Sequence, residues 1–198
     1  IYDEVLKNRS SEQLSLYMRN RGFYDAEVSD TAIFQRKRAE VEYRVIPNTP
    51  YTIRDINYFF QDASLSGLVL ADTTSSLVKR DDPFDVEVLQ EERERIESLL
   101  RNQGYYNFSR DFIYYDADSS LDSYQVDLTL VIRNFPGQDN SGRLIRTTHP
   151  VYRIRDVYMV TDFNAMAGDT PSSRQKDTLA YDSVFVVFGD RPNIRPSM

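Results

Sequence analysis

Apolar and polar residues alternate through residues 124–133, where Val126, Leu128, Leu130 and Ile132 are set against Asp127, Thr129 and Arg133. A period of two marks a strand with one buried face. Residues 83–103 carry the other clear period. Val86, Leu89, Ile96, Leu99 and Leu100 fall on one helical face, interrupted by Arg93. Asp85 stands at the N-cap position, and Gly104 follows the last turn as a stop signal. Glu91 with Arg95 and Glu97 with Arg101 have the i,i+4 spacing of wet-face ion pairs. Further strands are predicted over residues 108–115, 26–34 and 38–46, and a helix over 10–21 with Leu14, Tyr17 and Met18 inward. The strand over 51–60 has a broken parity. Ile53 and Ile56 cannot share a face of a regular strand, which predicts a bulge or a later start. A short helix is expected near residues 73–79, capped by Asp72 or a neighbouring Thr.

These elements recur. Tyr17-Met18-Arg19-Asn20-Arg21-Gly22-Phe23-Tyr24 is echoed by Leu99-Leu100-Arg101-Asn102-Gln103-Gly104-Tyr105-Tyr106. Residues 50–56 (PYTIRDI) are echoed by 150–157 (PVYRIRDV), and residues 39–46 by 125–132. The chain is an array of one supersecondary unit, strand, short helix, long helix, strand, strand. The fold class is therefore α+β, in tandem β-α-α-β-β units, each a three-stranded sheet covered by two helices. The expected division is a partial unit over 1–46, a complete unit over 47–135, a linker or insertion over 136–150 and the start of a further unit over 151–198. Within that last part residues 165–176 read as a polar loop and 181–188 as a strand. The chain opens on Ile1 and in mid-unit, so it reads as a piece of a longer protein.

Composition narrows the chemistry. With 31 acidic and 24 basic residues, the net charge of −7 repels nucleic-acid phosphates. The local exception, Gln35-Arg36-Lys37-Arg38, falls where a hairpin should turn and reads as a solvated turn. Cysteine is absent, which excludes disulfides and thiolate metal sites. No apolar run approaches the ~18–20 residues that span a bilayer as a helix.

The β-α-α-β-β order resembles tandem POTRA (polypeptide-transport-associated) domains, the periplasmic arms of BamA- and TamA-type outer-membrane barrel proteins. The resemblance rests on Tyr51-x-Ile53-x-x-Ile56, on Leu99-Leu100-x-x-x-Gly104-Tyr105-Tyr106, on Val126-x-Leu128-x-Leu130 and on Pro83-Phe84 before the long helix. It covers residues 9 to 160. The long stretches 137–148 and 165–177 depart from the family pattern. The resemblance implies a periplasmic location, attached to the outer membrane through a C-terminal barrel of the same chain. It also implies unfolded outer-membrane protein clients and periplasmic or membrane-anchored assembly factors as partners.

No catalytic constellation, metal site or cofactor motif emerges. The one histidine, His149, precedes Pro150 in a connection and reads as an exposed loop residue. Asp116, Asp118, Asp122 and Asp127 have some spacing of a calcium loop, but Leu121 occupies the position that needs Gly. They read as a hairpin turn. Glu87, Glu91, Glu92, Glu94 and Glu97 read, with their arginines, as a solvated face. The candidate interaction feature is an open sheet edge. The β-α-α-β-β order puts the alternating strand in the middle and leaves 108–115 outside, with Phe108, Arg110, Phe112, Ile113, Tyr114 and Tyr115 as the candidate peptide-binding edge. A spacer that only sets the distance between a barrel and an inner-membrane-anchored partner is the competing reading.

Overall fold

The computed structural model describes residues 2–120, 123–160 and 177–188. The chain divides into one compact unit that ends at Val151 and a second that starts at Tyr152.

The first unit opens with α1, Glu4–Asn20, whose first turn is capped by the Asp3 carboxylate accepting from the Val5 and Leu6 N–H groups. This helix starts a turn and a half earlier than the pattern from residue 10 predicts. Tyr17, expected inward, is exposed and lies under the Arg21 guanidinium. Strands β1, Glu27–Gln35, and β2, Arg38–Ile46, form an antiparallel hairpin that turns at Arg36, φ 54°.

Next comes the complete β-α-α-β-β repeat. It comprises β3, Thr52–Phe60; α2, Ala63–Ala71; α3, Val86–Asn102; β4, Ile113–Asp118; and β5, Gln125–Ile132. The sheet order is β3-β5-β4. β5 runs parallel to β3 and antiparallel to β4, and the register slips between Ile53 and Asp55, at the parity break. Val126, Leu128, Leu130 and Ile132 are buried against Ile96, Leu100, Leu65, Val69 and Phe84.

Six expectations need correction. The short helix lies at Ala63–Ala71, and residues 73–75 form only a 3-10 turn. Its cap is Asp62, which accepts from the Ser64 N–H at 3.0 Å, and not Asp72. The apolar Leu65, Leu68, Val69 and Leu70 surround this helix on most sides, so it shows no helical period. Glu92 is buried, not solvated. It accepts from Ser76 Oγ and the Leu77 N–H and pairs with Arg95, which also reaches Asp72. Arg95 thus serves Glu92 rather than Glu91. The predicted strand over 108–115 starts only at Ile113, because Ser109 caps a 3-10 turn over Arg110–Phe112. Residues 135–147 are not a plain connection: β6, Phe135–Gln138, and β7, Leu144–Thr147, pair as a hairpin.

In the second unit β8, Val157–Val160, pairs in parallel with β10, Val184–Phe188, and β10 pairs antiparallel with β9, Asp177–Tyr181. The order β8-β10-β9 repeats that of β3-β5-β4. β8 begins after the exposed Ile154. The strand expected over 181–188 is broken at Asp182, φ 54°, into the end of one strand and the whole of another. The polar loop expected over 165–176 lies outside the described residues.

The repeated phrase is one repeated cap. Gly22 and Gly104 have φ of 88° and 96°. In each copy the residue after Gly donates to the carbonyl five positions back: Phe23 to Met18 at 3.0 Å and Tyr105 to Leu100 at 3.1 Å. The glycine itself donates three back, to Arg19 and Arg101. This is the Schellman pattern, which needs a left-handed residue. Gly22 carries a second constraint. Its carbonyl accepts from the Tyr51 N–H, and a Cβ there would lie 3.0 Å from the Phe84 carbonyl oxygen. Gly104→Ala should therefore cost about 1 kcal/mol, and Gly22→Ala about 2 kcal/mol, from strain plus crowding. Urea unfolding of the two variants checks the order.

Candidate edge-strand interface

β4 pairs with β5 on one side only, and among the described residues no strand lies along its other side. The Arg133 N–H donates to the Phe112 carbonyl at 2.9 Å. Antiparallel alternation then turns the backbone of Tyr114 and Asp116 toward β5 and that of Ile113, Tyr115 and Ala117 outward. The Ile113 N–H is already engaged by the Arg110 carbonyl. The N–H and C=O groups of Tyr115 and Ala117 are the ones an added strand can use.

The side chains offered by the sequence do other work. Phe108 and Ile113 are buried, and Phe112 and Tyr115 pack against the same core. Arg110 pairs with Glu94, while its carbonyl accepts from Arg93. The Tyr115 hydroxyl is buried with no hydrogen-bond partner. Burial, then the nearby Glu92 carboxylate, raises its pKa. Of the aromatic candidates only Tyr114 looks out, with the Arg133 guanidinium 4.2 Å from its ring centroid. The candidate edge is a backbone feature carrying one aromatic side chain. Edge character was legible from topology, whereas the inward direction of Phe108 and Phe112 depends on a 3-10 turn that has no apolar period.

The solvent face of this sheet is graded in rows across the strands. Phe59, Val131 and Tyr114 form one row, Asn57, Thr129 and Asp116 the next, and Asp55, Asp127 and Asp118 the last. Arg54 gives two hydrogen bonds to Asp127, and Arg80 pairs with Asp55. Asp127 is thus engaged by a guanidinium, not placed in a calcium loop, and residues 121–122 of that motif lie outside the described residues.

At the end of the sheet sits a group that the sequence reading placed in solvent. His149 is 4% exposed, not an exposed loop residue. Its N–H donates to Asp62 Oδ2 at 2.6 Å and its Nδ1 lies 3.2 Å from the same oxygen. Phe108, Phe112 and Phe135 surround the ring, and Nε2 is buried without a partner. The second oxygen of the α2 cap is what recruits it, a contact across 87 residues that no local motif announces. The other carboxylate oxygen, Asp62 Oδ1, accepts from the Ser64 hydroxyl at 2.6 Å, so Asp62 lies between Ser64 and His149. The pair is a tether between α2 and the segment after the β6–β7 hairpin.

No family model matches this chain, and no curated protein matches it. Its likeness among solved structures is to POTRA domains. The POTRA3–5 structure of Haemophilus influenzae BamA aligns at 12% identity over 91% of this chain and 78% of that one, with a TM-score of 0.43. BamA from Haemophilus ducreyi lacking POTRA domains 1–3 aligns at 15% identity over 69% of this chain, with a TM-score of 0.39. The match takes in 25% of that longer chain. The fold assignment stands on the strand order and helix placement described above.

The tether carries a pH dependence. Burial lowers the His149 pKa from its ordinary 6.5, more than Asp62 raises it. Burial opposes the Asp62 carboxylate, but hydrogen bonds from Ser64 and His149 outweigh it and hold its pKa below 3.8. The unfolded chain then binds more protons than the folded one below about pH 6.5 at the histidine, and again near pH 4 at the aspartate. Stability is full above both windows and falls on acidification. His149→Phe keeps the aromatic packing and the backbone bond to Asp62. The drop in melting temperature between pH 7.5 and 5.5 should shrink in that variant.

Proposed function

We propose that this chain is part of a periplasmic arm of tandem POTRA-like units, belonging to an outer-membrane assembly or translocation protein. In this reading it binds extended polypeptides by β-augmentation at β4 and docks other periplasmic factors. The observation that carries it is the outward N–H and C=O groups of Tyr115 and Ala117 on a strand paired on one side only. Main-chain pairing holds an unfolded client without reading each of its side chains. The role is one of binding rather than catalysis.

A second reading has its own observation. The first and middle repeats are joined by an ordered contact: the Tyr51 N–H donates to the Gly22 carbonyl, Arg21 bridges to Asp85 and Glu87, and Tyr24 packs edge-on to Tyr51. A joint of this kind suits a spacer that fixes distance.

One substitution separates the two. The Ile113 N–H is spoken for and its side chain is buried, so Ala117 is the informative position. Ala117 is exposed and lies on the edge strand, where proline is tolerated. Ala117→Pro removes an outward donor. Affinity for an extended peptide of alternating apolar and polar residues should fall about tenfold, by titration calorimetry, with the melting temperature nearly unchanged. Unchanged affinity at unchanged stability would move the reading to the spacer.

A further inference from the structure

The edge of β4 is not chemically neutral along its length. On the solvent face it presents Tyr114, then Asp116, then Asp118. Tyr114 closes the apolar row that starts at Phe59 and passes through Val131, which is only 5% exposed. The other two positions are acidic. Of the three carboxylates in the last row, Asp55 and Asp127 are each matched by an arginine. Asp118 is not. Its carboxylate accepts from the Ser120 N–H; hydrogen bonds from the Ser120 side chain and backbone, and more weakly the charge of Arg54, hold its pKa below the ordinary value. Asp116 and Asp118 form no ion pair among the described residues. Both lie beside the strip that an added strand would occupy.

A strand laid on that edge puts every second side chain directly beside these three residues, at cross-strand pair distance. Its neighbour to Tyr114 extends an apolar row. Its neighbours to Asp116 and Asp118 meet two carboxylates that form no ion pair, where opposite charge stabilises and like charge destabilises. The free backbone says that a strand can add, and the row chemistry says which one. We infer that the β4 edge selects extended segments whose outward-facing positions carry an aromatic or aliphatic residue flanked by lysine or arginine. This inference rests on the β-augmentation reading and specifies the client class for the same site. The occupant is a cationic, alternating polypeptide strand, complementary to a chain of net charge −7.

The test uses two synthetic peptides of about nine residues, a typical strand length. Each has Phe at the centre and threonine or valine at the positions between. One carries Lys at every second position on either side of Phe, and the other carries Glu there. This symmetry satisfies either strand direction. On the parent chain at low salt, the Lys peptide should bind about fivefold tighter than the Glu peptide, and the gap should narrow in 0.5 M salt. In the double variant Asp116→Lys, Asp118→Lys the order should reverse. If the Lys peptide keeps its lead on that variant, the acidic positions do not select and the inference is overturned, while augmentation at β4 stands. If Ala117→Pro leaves both peptides bound as before, or if neither peptide binds the parent, augmentation at β4 is itself overturned. Melting curves of the double variant, in which both substituted positions are exposed, confirm that the comparison is made on folded protein.

Discussion

The parallel pairing of β3 with β5 is the constraint on which the middle repeat depends. Parallel neighbours cannot be joined by a tight turn, so the chain between them must cross over one face of the sheet. That crossover is α2 and α3, and it fixes which face is buried. β4 then has one place left, antiparallel to β5 on the side away from β3. The free edge, the inward direction of Ile113 and Tyr115, and the outward direction of Tyr114 all follow from this order. The fully buried Leu128 at its centre, packed with Ile53, Phe84 and Leu89, shows how completely β5 is enclosed.

The two Schellman caps show how a repeat diverges without losing its signal. Gly22 and Gly104 solve the same local problem, ending a helix and turning the chain toward an aromatic strand region. The residues after them then take different roles. Tyr105 is buried with Leu100 in its own core and Tyr106 is exposed beside the Arg101 guanidinium, whereas Tyr24, the counterpart of Tyr106, packs on Tyr51 and Phe84 of the neighbouring repeat. The same backbone device closes a core in one copy and builds a joint in the other.

What the sequence made legible was local and periodic. The alternation of β5, the apolar face and Asp85 cap of α3, both glycine caps and the bulge near Ile53 were each readable within a short window. The rest was hidden for identifiable reasons. α2 is apolar on most sides, so its residues have no period to detect. Glu92 looked like one more wet-face carboxylate, and its burial depends on Ser76 and Leu77 from a separate loop. His149 is held by Asp62, whose partnership is written in tertiary structure alone. Of the candidate edge, the open side of the sheet was legible from element order. The exact strand start was not, because a Ser109-capped turn displaces Phe108 and Phe112 into the core.

The same crossover also sets a timetable. Arg54 and its ladder neighbours in β3 wait for residues 73 positions later in the chain before their pairing can form. During synthesis, β3 emerges with Ile53, Ile56, Tyr58 and Phe60 unpaired, while α3 and the β4–β5 hairpin need only near neighbours. Long loop closure is entropically slow, and an unpaired apolar strand is the species most open to aggregation. A repeat of this design therefore has its most vulnerable segment at its beginning. The repeat before it, once folded, presents the Gly22 carbonyl, against which Tyr51, the residue just ahead of β3, can be held.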